Sequence, residues 1–128
     1  MLLVDDEVNL VEAGRKMLLY FGYTVTARTG SLEALDTFRT DPDAFDLVIT
    51  DFTMPNMTGV QLAREILNIK PGMPIILCTG FAADLSGEEV SPSLVRTVVM
   101  KPVMMDQMSR TIREVLEGLS EGARMASG

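Results

Sequence analysis

The sequence predicts a single α/β domain, built as one five-stranded parallel sheet wound with helices on both faces. Three observations predict it. Five short apolar runs recur along the 128 residues, each bounded by turn-forming residues. Helical patterns separate successive runs. Several runs are continuous rather than alternating, as strands covered on both sides must be. Five β/α repeats of this kind require right-handed crossovers and a two-layered core.

The first run, residues 2–4, begins almost at Met1, which fits a domain cut from a longer protein or a start shifted inward. Val8, Val11, Met17, Leu18 and Phe21 then form one apolar stripe, and Gly22 stands just past the end of that helix. Residues 23–27 read as the second strand. Ser31 is a suitable N-cap for a helix over 32–39, with Glu33 placing negative charge in its first turn. A third strand covers 45–50. The helix over 59–69 puts Val60, Leu62, Ala63, Ile66 and Leu67 mostly on one side and stops at Lys70-Pro71-Gly72. Strands at 74–79 and 96–100 follow. Between them Ser86-Gly87-Glu88-Glu89-Val90 starts a helix that Pro92 cuts off, so the fourth helix is expected to be short or irregular. The last helix covers about 105–119, with Met108, Ile112, Val115, Leu116 and Leu119 at core spacing. The domain is read as 1–119, and the small, polar stretch 120–128 as a flexible tail.

Composition narrows the function classes. Net charge is −7 and no segment clusters Lys or Arg, which argues against nucleic acid binding through this chain. No apolar run approaches the roughly 20 residues that span a bilayer, so no membrane contact is expected. One cysteine, Cys78, excludes an internal disulfide and suits a reducing cytoplasm. There is no histidine, which removes Ser-His and Cys-His triads, histidine zinc sites and any role as a phosphohistidine donor.

The stretch FDLVITDFTMPNMTG, residues 45–59, carries a strongly apolar strand into a carboxylate, Asp51. An unpaired charge there is costly, so it must be compensated or used. In a doubly wound sheet, ligands sit outside the carboxyl ends of the strands, where strand order reverses. Asp5-Asp6-Glu7, Asp51, Thr79 and Lys101-Pro102 all follow strands and would gather at that edge. Crowded aspartates raise one another's pKa unless a cation sits among them. Oxygen ligands alone favour a hard ion, Mg²⁺ or Mn²⁺. With the Lys101 ammonium and the Thr79 hydroxyl, the set suits a phosphoryl group, and an aspartate can attack phosphorus to give an acyl phosphate.

Four stretches in order, LLVDDE, VITDFTMPNMTG, IILCTG and VVMKP, make the chain resemble the receiver domain of two-component response regulators from Leu2 to about Leu119. The wording PIILCTGFA is also similar to receivers attached to hybrid sensor histidine kinases. The resemblance implies a flavodoxin-like fold and a phosphorelay role in which Asp51 is the phospho-acceptor. It implies that Asp6 and Asp51 bind Mg²⁺ directly, that Asp5 assists through water, and that the backbone carbonyl of Thr53 completes the protein ligands. Lys101 would pair with phosphoryl oxygens, with a cis peptide to Pro102, and Thr79 would move in to hold the phosphoryl group. The implied partners are a histidine kinase or histidine phosphotransfer domain, with phosphorylation switching the binding of an effector.

Plainer readings stand beside these. The acidic triplet could simply start a helix favourably, Asp51 could form a turn, and Thr79 could be an ordinary strand residue. Cys78 reads as a small core residue, and Met100, Met104, Met105 and Met108 as core filler or, where exposed, adaptable contact surface. The chain departs from the family pattern at Val98, where an aromatic is usual, and at Pro92 and Leu94. Thr53 and Phe81 offer no acid or amide to orient a water, which predicts a long-lived phosphoryl state. Two alternatives stay open: a constitutive docking receiver with an idle switch, and an aspartate-nucleophile phosphatase. Thr53 stands where such a phosphatase wants a second acid.

Overall fold

The computed structural model describes residues 1–80 and 95–127. Strands β1 (Leu2–Val4), β2 (Thr26–Arg28), β3 (Val48–Asp51), β4 (Ile75–Thr79) and β5 (Thr97–Met100) pair in the order β2-β1-β3-β4-β5, and every pair is parallel. Helices α1 (Val8–Tyr20), α2 (Ser31–Thr40), α3 (Gly59–Ile69) and α4 (Met105–Ser127) alternate with them, and a 3-10 turn spans Pro42–Ala44. The segment expected to form a short helix near Ser86 and Pro92 lies outside the described residues. The chain steps from β1 to β2 on one side and to β3 on the other, so strand order reverses between β1 and β3.

The strands partition the core into two layers because alternate residues face opposite ways. Leu2, Val4, Val48, Ile75 and Leu77 pack with α2 and α3 residues such as Ala34, Phe38, Leu62 and Ile66. Leu3, Ile49, Ile76 and Cys78 pack with Val11 and Leu18 of α1 and with Met108, Ile112 and Val115 of α4. No helix among the described residues is long and apolar enough to cross a membrane.

Local chemistry explains most boundaries. Gly22 takes φ 95° just after α1, and the Gly22 and Tyr23 amides donate to the carbonyls of Leu19 and Leu18 at 3.0 and 3.1 Å. This is the paired closure that a left-handed glycine allows. A reciprocal capping box starts α3: Thr58 Oγ1 accepts the Gln61 amide at 3.2 Å, and Gln61 Oε1 accepts the Thr58 amide at 2.9 Å.

Four expectations need correction. Val8 is 62% exposed, because it opens α1 beyond the end of β1 and the stripe meets the sheet only from Val11 onward. Ser31 does not cap α2; Gly30 holds that position without a side-chain bond, and Ser31 is the first helical residue. The 45–50 run starts as a strand only at Val48, since Phe45 is buried in a stack on Phe38 with ring centroids 5.7 Å apart. Helix α4 continues to Ser127, beyond the core-spaced residues that end at Leu119.

Gly59 is required by close approach. A Cβ there would collide with the carbonyl oxygen of Asp51 and stand 2.7 Å from Leu77 Cδ1. Backbone cannot give way as a flexible side chain can. Gly59→Ala is therefore expected to cost about 3 kcal/mol in urea unfolding, at the upper end for overpacking. A variant as stable as the parent would refute the close packing.

Candidate functional site

The reversal of strand order places the end of β1 beside the end of β3, and the site is assembled there. Asp5 follows β1 directly, and its amide donates to the Arg28 carbonyl at 3.2 Å. Its Oδ1 accepts the Glu7 amide at 3.0 Å, which fixes the carboxylate as the chain turns into α1. Asp51 is the last residue of β3, pairs in register with Cys78 and is buried among apolar neighbours. Asp6 is exposed. Each of the three carboxylates offers an oxygen within 4.8 Å of the others.

Lys101 joins them from the end of β5. Its amide donates to the Thr79 carbonyl at 2.8 Å, and the peptide to Pro102 is cis, as the resemblance implied. Its Nζ stands 3.0 Å from Asp51 Oδ1 and 3.2 Å from Asp5 Oδ2. One ammonium thus bridges two carboxylates that come from residues nearly fifty positions apart. Beside the cluster, a cavity of about 890 Å³ between α1 and α4 reaches Asp5, Asp51 and Lys101.

Among the described residues the charges do not balance locally: three carboxylates face one ammonium. Burial, the largest cause, pushes the Asp51 carboxyl above its ordinary 3.8; the hydrogen bond and charge of Lys101 offset this only in part, and Asp5 and Asp6 add to it. Burial by itself would lower Lys101, but its hydrogen bond to Asp51 and the Asp51 and Asp5 charges outweigh that and hold it above 10.5. Native Asp51 therefore keeps its proton more tightly than the unfolded chain does. Its contribution to stability falls as pH rises from 3.8 through the raised value. Lys101 has the opposite sense: its contribution is full below 10.5 and is lost as pH climbs through the folded value. Carbon-13 NMR titration without divalent ions is expected to show the Asp51 carboxyl titrating above 3.8. A midpoint at or below that value contradicts the burial.

An oxygen-only cluster with surplus negative charge and one solvent-facing member fits a hard divalent ion such as Mg²⁺, which keeps part of its water shell. The sequence-predicted residues Asp5, Asp6, Asp51 and Lys101 are thus brought together. Thr79 ends β4 and is 1% exposed, in register with Met100. Thr53 is exposed in the loop after Asp51, and Val98 is half-buried against the α2–α3 layer. Phe81 lies outside the described residues. Cys78 has its thiol pushed up to about 12, chiefly by burial, so it is a core residue and not a nucleophile.

Ser31 is what sequence reasoning missed. Its hydroxyl donates to the Pro55 carbonyl at 3.2 Å, across to the loop after Asp51. The readable signal was Gly30, which can occupy an N-cap itself and leave the following serine free.

The model of the response regulator receiver domain matches residues 1–113. Among curated proteins, transcription factor SKN7 of Chaetomium thermophilum is 32% identical over 98% of this chain and 16% of its own length. Sensor kinase CckA of Brucella abortus is 31% identical over 91% of this chain and 12% of its own. The chain thus spans less than a fifth of either relative. A receiver domain protein from Clostridium thermocellum superposes with a TM-score of 0.85 at 29% identity, covering 93% of this chain and 94% of that one. The response regulator TrrA of Thermotoga maritima, solved in complex with Mg(2+)-BeF, gives 0.79 at 30% identity over 89% and 96%.

Proposed function

Because this chain belongs to the response regulator receiver domain family of two-component signalling, we propose that Asp51 is its phospho-acceptor and that a partner's phosphohistidine is the donor. In this reaction an Asp51 carboxylate oxygen bonds to phosphorus as the bond from phosphorus to the imidazole nitrogen breaks. The imidazole leaves with the electron pair and takes a proton from water. The observation that carries the reading is the Lys101 ammonium 3.0 Å from Asp51, with Asp5 and Asp6 alongside.

Each side chain has a distinct task in this reading. Asp51 is poised as the nucleophile at the carboxyl end of a buried strand. Lys101 neutralises phosphoryl oxygens as they arrive, since positioning and charge dispersal are most of what phosphoryl transfer asks of a protein. The Thr79 hydroxyl donates to one of those oxygens. Asp6 and Asp51 would hold Mg²⁺ directly, with Asp5 through water and with the Thr53 carbonyl; Mn²⁺ is the related substitute. Bound there, the ion supplies the positive charge that lets a carboxylate and a phosphoryl dianion approach.

The partner is a histidine kinase or histidine phosphotransfer domain, and the role is that of a switch rather than of a turnover enzyme. Exposed Met104 and Met105 beside Lys101-Pro102, with Val8 and Leu10 on α1, give the rim an adaptable apolar surface suited to a docking protein. A single buried thiol, Cys78, fits a cytoplasmic setting.

Incubation with acetyl phosphate and Mg²⁺, followed by intact mass measurement, tests the proposal. One phosphoryl group per chain is expected, and none with a chelator present. Sustained hydrolysis of p-nitrophenyl phosphate would instead point to the phosphatase chemistry.

A further inference from the structure

We propose that Ser31 is a positioning residue for this pocket: its hydroxyl, through the Pro55 carbonyl, sets the course of the loop that carries Thr53. The inference rests on the reading of that loop as part of the Mg²⁺ site.

Ser31 is 2% exposed and begins α2. A serine at the N-cap accepts from free amides of its own helix with its hydroxyl oxygen, but Ser31 stands one residue further in. Here the hydroxyl goes elsewhere, to a carbonyl 24 residues along the chain. Gly30 is the N-cap and has no side-chain bond, and the Ser31 hydroxyl donates to the loop.

The receiving carbonyl sits at the tightest point of the loop. Pro55 also accepts the Met57 amide at 2.8 Å, and Asn56 between them holds φ at 72°. A non-glycine residue in the left-handed region is uncommon and persists where its surroundings hold it. The two ends of the loop are secured separately: Phe52 donates to the Cys78 carbonyl and Gly59 to the Phe52 carbonyl, each at 2.8 Å. Thr53 lies between the Phe52 anchor and the Pro55 turn and is itself exposed. Ser31 thus grips the middle of the loop from α2, two residues past Thr53. Partners that orient a metal's ligands tune its affinity without touching the ion.

The test compares Ser31→Ala with Ala34→Gly, which weakens the same helix at a buried position but leaves the tether intact. Two quantities are read: the Mg²⁺ dissociation constant by calorimetric titration, and hydrogen exchange of the Met57 amide without metal. Ser31→Ala is expected to weaken Mg²⁺ binding about three- to tenfold and to speed Met57 exchange by a similar factor, as loss of one hydrogen bond would. Labelling at saturating Mg²⁺ should still reach one phosphoryl per chain. Ala34→Gly should change neither quantity beyond its effect on global stability. Unchanged exchange in Ser31→Ala overturns the tether. Faster exchange with an unaltered metal constant makes the bond structural only, and equally overturns the positioning role. Should the parent itself bind no Mg²⁺, the reading of the pocket fails, and the exchange measurement still decides whether Ser31 holds the loop.

Discussion

Asp51→Asn is expected to abolish phosphoryl incorporation while leaving the fold intact. The amide is nearly isosteric, and its oxygen can still accept from Lys101, which stands 3.0 Å from Asp51 Oδ1. What is lost is the nucleophile, because an amide oxygen is a poor one and cannot yield an acyl phosphate. Stability should not fall at neutral pH. Burial and the neighbouring acids make ionisation of Asp51 unfavourable on balance, and the neutral amide escapes that cost. The measurement is intact mass after acetyl phosphate and Mg²⁺, beside a thermal melt at pH 7. Full labelling of the variant would move the acceptor to another acid and sink the assignment. A markedly lower melting temperature would mean that the Asp51–Lys101 pair contributes more than the burial costs.

Lys101→Met carries the second large effect, and it reaches both chemistry and stability. Removing the ammonium leaves Asp5 and Asp51 facing each other with no positive charge between them. Losing a preorganised group that stabilises developing charge typically slows a reaction about 10²- to 10³-fold, and a decrease of that size is expected in the labelling rate. Stripping one partner from a fully buried pair costs about 3–5 kcal/mol. Here the lysine side chain is 25% exposed, so water screens part of the loss. About 1–3 kcal/mol is expected at pH 7. The deficit should shrink on acidification as Asp51 takes up a proton, which urea unfolding at several pH values would reveal. A variant labelled at the parent's rate removes Lys101 from the mechanism.

The order of the elements was legible because each apolar run is short and each helical stripe lies between turn signals. Residues 59–69 were read to the residue, since Gly59 and Lys70-Pro71-Gly72 punctuate both ends. The clustering of Asp5, Asp6, Asp51 and Lys101 was legible too. It follows from the rule that places strand ends of a doubly wound sheet on one edge. Boundaries failed where burial and pairing part company. Tyr23 and Val25 are apolar and pack against the α1–α4 layer, yet β2 begins only at Thr26. Phe45 is apolar because it stacks on Phe38, not because it belongs to a strand. Ser31 misled for a different reason. A hydroxyl at a helix start can accept from local amides or donate to a distant carbonyl, and only the folded loop decides which bond forms.

The lone thiol in β4 has a practical corollary. Cys78 is buried, in register with Asp51, with its proton held to about pH 12. A maleimide or disulfide reagent is expected to modify it slowly until β4 comes away from its neighbours. Labelling speed in a denaturant series therefore clocks the opening of the central sheet, with no engineered probe. Any ion or phosphoryl group that tightens the end of β3 should be visible as a delay in that clock.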